Sequence, residues 1–292
     1  MSGKIKKYKM FVLIWGTVAV FTVLYISLIF SNNIWTDEAF TIQLLKENLQ
    51  GIISGTAKDV HPPLYYIYLK AFVKIFGNSL ISMKIASVIP LTGTLLLGAT
   101  IIRKRFGDIT SFLYVLFFAC IPCSMEFSVQ VRMYSLAVFF VTLCGIYAYN
   151  VFTDGRIRDY LIAGISGVFA VYTHYFAFMP VIIIMAFLFI SIIIWNIKRI
   201  LSCTIMAVGM IVSYMPWFTS FYKQVTSVNA GYWIPEISAE YSQDFNAIWF
   251  FDSEWHPDID PAVLEANGLI MEYEGHYGIE HNEFDIYKVY RQ

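Results

Sequence analysis

The chain has 292 residues, of which 58% are hydrophobic and only 14% are charged, and its formal net charge is −1. Soluble globular domains carry about a quarter of charged residues, so this composition predicts a protein that crosses the membrane several times. The nearly neutral net charge predicts no binding of nucleic acid, which needs a strongly basic surface.

Long apolar runs predict about seven transmembrane helices. The first run, residues 10–30, is long enough to span a bilayer and lacks the small-residue cleavage site of a signal peptide. Residues 160–197 would extend about 57 Å as one helix, against a hydrocarbon core of about 30 Å, so this run must turn near residues 173–175. The predicted spans are 10–30, 85–102, 109–125, 133–152, 160–173, 176–195 and 200–221.

Basic residues predict the orientation of these spans. More than half of the 20 Lys and Arg residues lie in four short segments, 1–9, 103–108, 153–159 and 196–199. Because cytoplasmic loops are enriched in Lys and Arg, these segments and the N-terminus are predicted to be cytoplasmic. The first loop, with Asp37 and His61, and the C-terminus are then extracytoplasmic, and the chain is a multi-pass protein of the cell membrane.

The first outside loop and the tail have their own predicted structure. Residues 38–54 and 64–77 are too short or too polar to span, and each predicts an amphipathic helix at the outer interface. We therefore assign residues 1–235 to a transmembrane module and residues 236–292 to an acidic extracytoplasmic tail.

Short motifs in the tail predict a small α/β piece. They indicate a strand at 246–251, a short helix at 261–267 and a terminal strand at 284–290.

Two neighbouring acids, Asp37 and Glu38, stand out in the first outside loop. Charge beside a bilayer is costly and is usually retained for function. On a helix the two side chains point about 100° apart, so one can face a cleft while the other caps or anchors the helix. Asp37 alone is equally consistent with an acid that stabilises a helix N-terminus.

A second group follows at Asp59, His61, Pro62 and Pro63. The two prolines restrict the backbone, so Asp59 and His61 are predicted to lie on a rigid corner above the membrane. Two alternatives are open: a loop stop with a local hydrogen bond to His61, or a divalent metal held by carboxylate and imidazole.

Two further outside turns carry polar residues. Arg132 is a good partner for phosphate, because its guanidinium fork matches phosphate oxygens. It is also consistent with a contact to lipid headgroups or to Glu126. His174 and Tyr175 form a second polar turn on the same side, where a lone histidine often has a structural role.

These motifs occur in a fixed order: Asp37-Glu38, His61-Pro62-Pro63-Leu64-Tyr65-Tyr66, Arg132-Met133-Tyr134-Ser135-Leu136 and Thr173-His174-Tyr175-Phe176. Over about residues 8–235 the chain resembles the C-type glycosyltransferase fold, in the bacterial branch related to dolichyl-phosphate-mannose–protein mannosyltransferases and aminoarabinose transferases. The resemblance implies a sugar donor linked to a polyprenyl phosphate. It also implies catalysis outside the cytoplasm on a protein, lipid or wall-glycan acceptor.

The resemblance also implies roles for individual residues. Asp37 matches the catalytic Asp, which would act as general base in an inverting transfer, and Glu38 matches its acidic companion. Arg132 matches the donor-side Arg and, with Tyr134, would bind the donor phosphate. The expected substrate-binding residues are Asp59, His61, Tyr65, His174 and Tyr175. No cofactor is expected, and the requirement for a divalent metal is open.

One departure and one alternative accompany this interpretation. Family members are usually longer, whereas here the seventh predicted span runs almost directly into the acidic tail. This is expected for a compact member that lacks the later spans or for the product of a deletion. The alternative function is a non-catalytic membrane protein, either a transporter or a lipid-binding scaffold, with an acidic tail. A transporter would place ionisable groups near mid-bilayer, whereas the charges here are predicted at one face.

Overall fold

The computed structural model describes residues 2–31, 34–230, 248–253, 269–279 and 282–291. The chain divides into two compact units, Met1–Thr226 and Ser227–Gln292. The predicted domain boundary between residues 235 and 236 lies outside the described residues.

The first unit is helical. Its helices are α1 (Ser2–Leu28), α2 (Thr36–Leu44), α3 (Leu49–Lys58), α4 (Leu64–Phe76), α5 (Leu80–Leu97), α6 (Arg103–Cys120), α7 (Pro122–Glu126), α8 (Tyr134–Thr153), α9 (Ile157–Thr173), α10 (Phe178–Trp195) and α11 (Ile200–Ala230). A π-helical turn, Gly98–Ile102, joins α5 to α6, and short 3₁₀ turns, Tyr175–Ala177 and Ile197–Arg199, precede α10 and α11.

Within the described residues, 5 helical stretches are long and apolar enough to cross a membrane. They are Lys7–Leu28, Leu80–Cys120, Tyr134–Thr153, Tyr175–Trp195 and Ile197–Ser227. The prediction of a multi-pass membrane protein is thereby confirmed. The count of seven spans stays a prediction.

The longest of these stretches is a helical hairpin. Gly107 interrupts its 41 residues with φ 87° and ψ 175°, a conformation that favours glycine. The Ser111 hydroxyl donates to the Gly98 carbonyl oxygen over 2.8 Å, although residues this far apart would be separated by about 20 Å in a straight helix. The chain therefore turns back at Gly107, inside the segment 103–108 that was predicted to be a loop.

A second predicted turn is also confirmed. Helix α9 ends at Thr173, and His174 adopts an extended conformation with φ −154° and ψ 135°. The apolar run 160–197 is therefore two helices, α9 with 17 residues and α10 with 18 residues.

The structure interrupts two of the predicted helices. The helix predicted over 38–54 is two helices, α2 and α3, because the Asn48 side chain accepts a hydrogen bond from the Gly51 N–H over 2.8 Å and starts a new helix. The span predicted over 109–125 ends at Cys120, because Pro122 forces Ile121 into an extended conformation. The interfacial helix predicted over 64–77 corresponds closely to α4.

The ends of the helices lie in two layers. At one end, Arg105 pairs with Asp154, and the Arg199 guanidinium donates to the Val151 and Phe152 carbonyl oxygens over 2.7 and 2.6 Å. Three of the basic segments that were predicted to be cytoplasmic thus meet. Helix α8 leads away from this layer by about 30 Å to the turn that carries Arg132.

The opposite layer contains the functional candidates, and an apolar cluster holds it together. Buried residues from α2 to α5 pack against the turn before α8 and its first residues. They are Leu44, Leu45, Ile52, Tyr65, Tyr66, Leu69, Met83, Ala86, Val131, Met133 and Leu136. Burial of this cluster positions α2, α3 and α4 against α5 and the start of α8.

The second unit contributes three described strands, β1 (Ile248–Ser253), β2 (Leu269–Ile279) and β3 (Asn282–Arg291). They form one antiparallel sheet in the order β1-β3-β2. The sequence predicted β1 and β3 but not β2. The helix predicted at 261–267 lies outside the described residues, so the α/β character of the tail stays a prediction.

Candidate active site

Two acids at the start of α2 have opposite environments. Asp37 and Glu38 both lie in the first helical turn, where negative charge is favourable. The Asp37 side chain is 53% exposed, whereas Glu38 is only 1% exposed. The prediction that neighbouring acids on a helix separate into one accessible and one anchoring group is consistent with this geometry.

Glu38 ties α2 to the turn before α8. One carboxylate oxygen accepts from the Trp35 N–H over 2.8 Å, and the other accepts from the Val131 N–H over 2.6 Å. Both donors are backbone groups, and hydrogen bonds to a buried carboxylate are among the stronger ones. Glu38 therefore places Arg132, the residue after Val131, beside α2.

Arg132 lies at the centre of the group and is 4% exposed. Its Nη1 donates to the Asp37 carbonyl oxygen over 3.1 Å and lies 3.5 Å from the Thr41 hydroxyl. Its Nη2 lies 3.3 Å from the Asp37 carboxylate. Burial opposes the charge of Arg132, but nearby Tyr66, Asp37 and Tyr134 raise its pKa above the usual value.

Asp59 and His61 extend the group on the other side of Arg132. The His61 Nδ1 lies 3.0 Å from the Asp59 carboxylate, and its Nε2 lies 3.3 Å from the Arg132 Nη2. Because Arg132 can only donate, the consistent tautomer carries its proton on Nδ1 and accepts at Nε2. Asp59, His61, Arg132 and Asp37 thus form one continuous polar chain.

His174 borders this chain without a hydrogen bond to it. Its ring centroid lies 5.9 Å from that of His61 and 5.5 Å from that of Tyr134. Its Nδ1 accepts from the Phe176 N–H over 3.0 Å, which starts the 3₁₀ turn. Burial, reinforced by His61 and Arg132, lowers the pKa of His174 to about 4. The imidazole is therefore neutral at ordinary pH.

Two of the predicted substrate-binding residues lie apart from the chain. Tyr65 is 1% exposed, and its hydroxyl lies 3.5 Å from the Ser87 hydroxyl in the core. The Tyr175 hydroxyl bonds to Gln224 and accepts from the Trp217 indole N–H over 2.8 Å. Their predicted contact with substrate stays a prediction.

Sequence reasoning missed Thr41 and Tyr66. Thr41 is one helical turn after Asp37, and its hydroxyl donates to the Asp37 carbonyl oxygen over 3.0 Å. The i, i+4 spacing along α2 could have identified it. Tyr66 is fully buried and contributes to the raised pKa of Arg132. The sequence could not show that Tyr66 rather than Tyr65 raises the pKa of Arg132, because both residues are tyrosines.

An apolar cavity of about 400 Å³ lies beside these elements. It is lined by Leu64, Tyr68, Ile89, Pro90, Gly93, Leu136, Phe139, Phe140 and Phe169. Two of the helices that form it, α4 and α8, begin within three residues of His61 and Arg132 in the chain. In the part of the chain that the structure describes, no group of three or more His, Cys, Asp or Glu side chains could hold a metal ion.

The model of the dolichyl-phosphate-mannose-protein mannosyltransferase family matches residues 60–218, which is more than half of the chain. The chain belongs to this family. Membership, together with the apolar helices, indicates a membrane glycosyltransferase of the mannosyltransferase type. Comparison with curated proteins and with solved structures found no match.

The region that matches the mannosyltransferase family contains only part of the candidate site. It includes His61, Tyr65, Arg132, Tyr134, His174 and Tyr175. It begins after Asp37, Glu38 and Asp59, so their connection to the matched region comes from the hydrogen bonds and ion pairs described above.

Removing the Glu38 carboxylate is expected to destabilise the protein. Glu38→Ala leaves two backbone N–H groups without their acceptor, and we expect a loss of about 2–4 kcal/mol in the free energy of unfolding. The midpoint of thermal unfolding in detergent should fall by about 5–10 °C. Glu38→Gln keeps one acceptor oxygen. Its unfolding midpoint should therefore lie between those of Glu38→Ala and the unmodified protein.

The control for this experiment is Glu47→Ala, which removes an exposed acid from the same loop. Its unfolding midpoint should stay within about 1 °C of the unmodified protein. Equal midpoints for Glu38→Ala and Glu47→Ala would contradict the anchoring role of Glu38.

Proposed function

We propose that this protein transfers a sugar from a polyprenyl-phosphate donor to an acceptor hydroxyl at the outer face of the membrane, with inversion and with Asp37 as general base. The observation that carries the proposal is the contact between the half-exposed Asp37 carboxylate and the buried Arg132 guanidinium, which lie 3.3 Å apart. A proton acceptor and a phosphate partner are the two groups that such a transfer needs.

The reaction is a single displacement. The acceptor oxygen forms a bond to the anomeric carbon while the bond from that carbon to the phosphate oxygen breaks. The acceptor proton passes to Asp37, and the polyprenyl phosphate leaves with the bonding electron pair. Asp37 is suited to the base role because its side chain is accessible and belongs to a rigid first helical turn.

Arg132 would stabilise the charge that develops on the departing phosphate. Its Nη1 is held by the Asp37 carbonyl and by contact with Thr41, which leaves the Nη2 edge as the side that faces the Asp37 carboxylate. A donor phosphate would approach that edge, and the Asp37 carboxylate would turn from Arg132 toward the acceptor. The His61 Nε2 contacts the same edge. Tyr134, whose ring lies 5.5 Å from that of His174, would line the approach of the phosphate.

The apolar cavity of about 400 Å³ supports a lipid-linked donor. Its aliphatic and aromatic lining suits the isoprenoid chain, because burial of apolar surface is favourable and non-directional. The exposed Trp35, two residues before Asp37, would stack on the sugar.

The proposed topology has seven spans with the N-terminus and the basic layer in the cytoplasm. Fusion of a periplasm-dependent reporter, alkaline phosphatase, after residue 232 should therefore give activity. Fusion after Lys104 should give none, because the basic layer that contains Arg105 and Arg199 would be cytoplasmic. The reverse pattern would contradict both the orientation and the external location of Asp37.

The function is tested by reconstituting the purified protein in liposomes with a panel of polyprenyl-phosphate sugars. The measurement is transfer of sugar to protein, lipid and wall-glycan acceptors, resolved by mass spectrometry. Transfer from at least one donor, with inverted anomeric configuration, supports the proposal. Binding of the donors without transfer to any acceptor class would favour a lipid-binding scaffold instead.

A further inference from the structure

The C-terminal half of α11 contains a buried amide that reaches toward the site. Gln224 is 4% exposed, and its Nε2 donates to the Thr56 carbonyl oxygen over 2.7 Å. Its Oε1 accepts from the Tyr175 hydroxyl, which in turn accepts from the Trp217 indole N–H. The amide thereby joins α11 to the end of α3 and to the turn between α9 and α10.

The acceptor on α3 is a carbonyl group near the C-terminus of the helix. Helix α3 ends at Lys58, so the Thr56 carbonyl oxygen has no partner four residues ahead within the helix. Thr56 is also fully buried, which excludes water as a ready substitute. Gln224 therefore supplies the hydrogen-bond partner of a buried carbonyl group at the end of α3.

The residue at that end, Asp59, leads directly into the proposed site. Asp59 is the C-cap of α3, and its carboxylate lies 3.0 Å from the His61 Nδ1. The His61 Nε2 then lies 3.3 Å from Arg132. The other arm of the amide reaches Tyr175, whose neighbour His174 places its ring 5.9 Å from that of His61. Both arms of Gln224 thus end within three residues of a residue that contacts His61.

We infer that Gln224 is a positioning residue for the transfer reaction, which sets the position of the Asp59–His61 pair against Arg132. The inference rests on the proposed function. It concerns a residue beyond residues 60–218, the region that the family model matches. A buried amide with both ends bonded holds its partners in one arrangement, and a shift of about 1 Å at a reacting group can lower a rate about 100-fold.

The first variant is Gln224→Met, which keeps a similar side-chain length and removes both hydrogen bonds without adding a charge. We expect the turnover number to fall about 10–100-fold, with little change in KM for the donor. Gln224→Glu keeps an acceptor for Tyr175 and, as the carboxylate, loses the donor to Thr56. It should show the same fall if the α3 arm positions Asp59. The matched control is Gln50→Met, which changes an exposed glutamine on α3 and should behave as the unmodified protein.

The second measurement does not depend on activity. The chain has 5 histidines, so ¹⁵N-histidine labelling gives a readable imidazole spectrum, with His61 assigned by its loss in His61→Asn. The His61 nitrogen signals should shift in Gln224→Met and Gln224→Glu but not in Gln50→Met. A lower unfolding midpoint with unchanged His61 signals would mean a merely structural role and would overturn the inference. So would turnover within about twofold of the unmodified protein.

The two proposals fail in different ways. Absence of transfer by the unmodified protein, with every donor and acceptor, would remove the proposed function, while the His61 spectrum alone would still decide whether Gln224 positions His61. If Gln224→Met does not fold, Gln224→Glu provides the same two readouts.

Discussion

Replacing Asp37 with asparagine is expected to lower the turnover number by about 10²–10⁴-fold, the usual contribution of general-base catalysis. Asparagine has nearly the same size but cannot accept the acceptor proton. The Asp37 backbone carbonyl, which accepts from the Arg132 Nη1 over 3.1 Å, is unchanged by this substitution. Arg132 should therefore keep its position, and KM for the donor should change little.

The measurement is transfer in reconstituted liposomes under single-donor conditions, with insertion verified by protease protection. Glu47→Gln, the same chemical change at an exposed acid of the same loop, should retain full activity. Full activity in a correctly inserted Asp37→Asn protein would exclude Asp37 from catalysis and would leave it as an acid that stabilises the start of α2.

Replacing Arg132 with alanine is expected to impair both donor binding and turnover. A phosphate partner interacts with the donor in the ground state and more strongly in the transition state, so KM should rise while the turnover number falls about 10²–10³-fold. Arg132→Lys should restore only part of the activity, because an ammonium group lacks the bidentate fork.

The control for Arg132 is Lys74→Ala, which removes an exposed cation from α4 in the same layer. This variant should bind the donor and turn over as the unmodified protein does. The decisive comparison is between Arg132→Ala and Asp37→Asn. The contrary outcome is that both variants lower the turnover number and leave KM for the donor unchanged. In that case Arg132 would serve only to hold Asp37, and the phosphate would bind elsewhere.

The two turns inside the long apolar runs illustrate how much of the fold depends on the local sequence. Residues 160–197 and the stretch around Gly107 could be divided from the sequence, because a run longer than the hydrocarbon thickness must turn where polar or flexible residues occur. The limits of α2, α3 and α6 were harder to predict from the sequence. They depend on a single cap by Asn48 and on the restriction that Pro122 imposes on Ile121.

The residue types of the candidate site were likewise visible in the sequence. Asp37, His61 and Arg132 could be selected because charge beside a bilayer is costly and because proline restricts the corner that follows His61. Helix geometry also predicted that Asp37 and Glu38 would face different ways. It could not tell which of the two would be the anchor.

Only the tertiary structure decided that question. Glu38 is buried with one carboxylate oxygen on the Val131 N–H, 93 residues along the chain, and Asp37 stays accessible beside Arg132. Gln224 meets the Thr56 carbonyl across 168 residues for the same kind of reason. Such pairs depend on how packed helices bring distant backbone groups together. The sequence alone therefore determined the apolar helices and the chemical types of the candidate residues, and packing determined which of those groups contact each other.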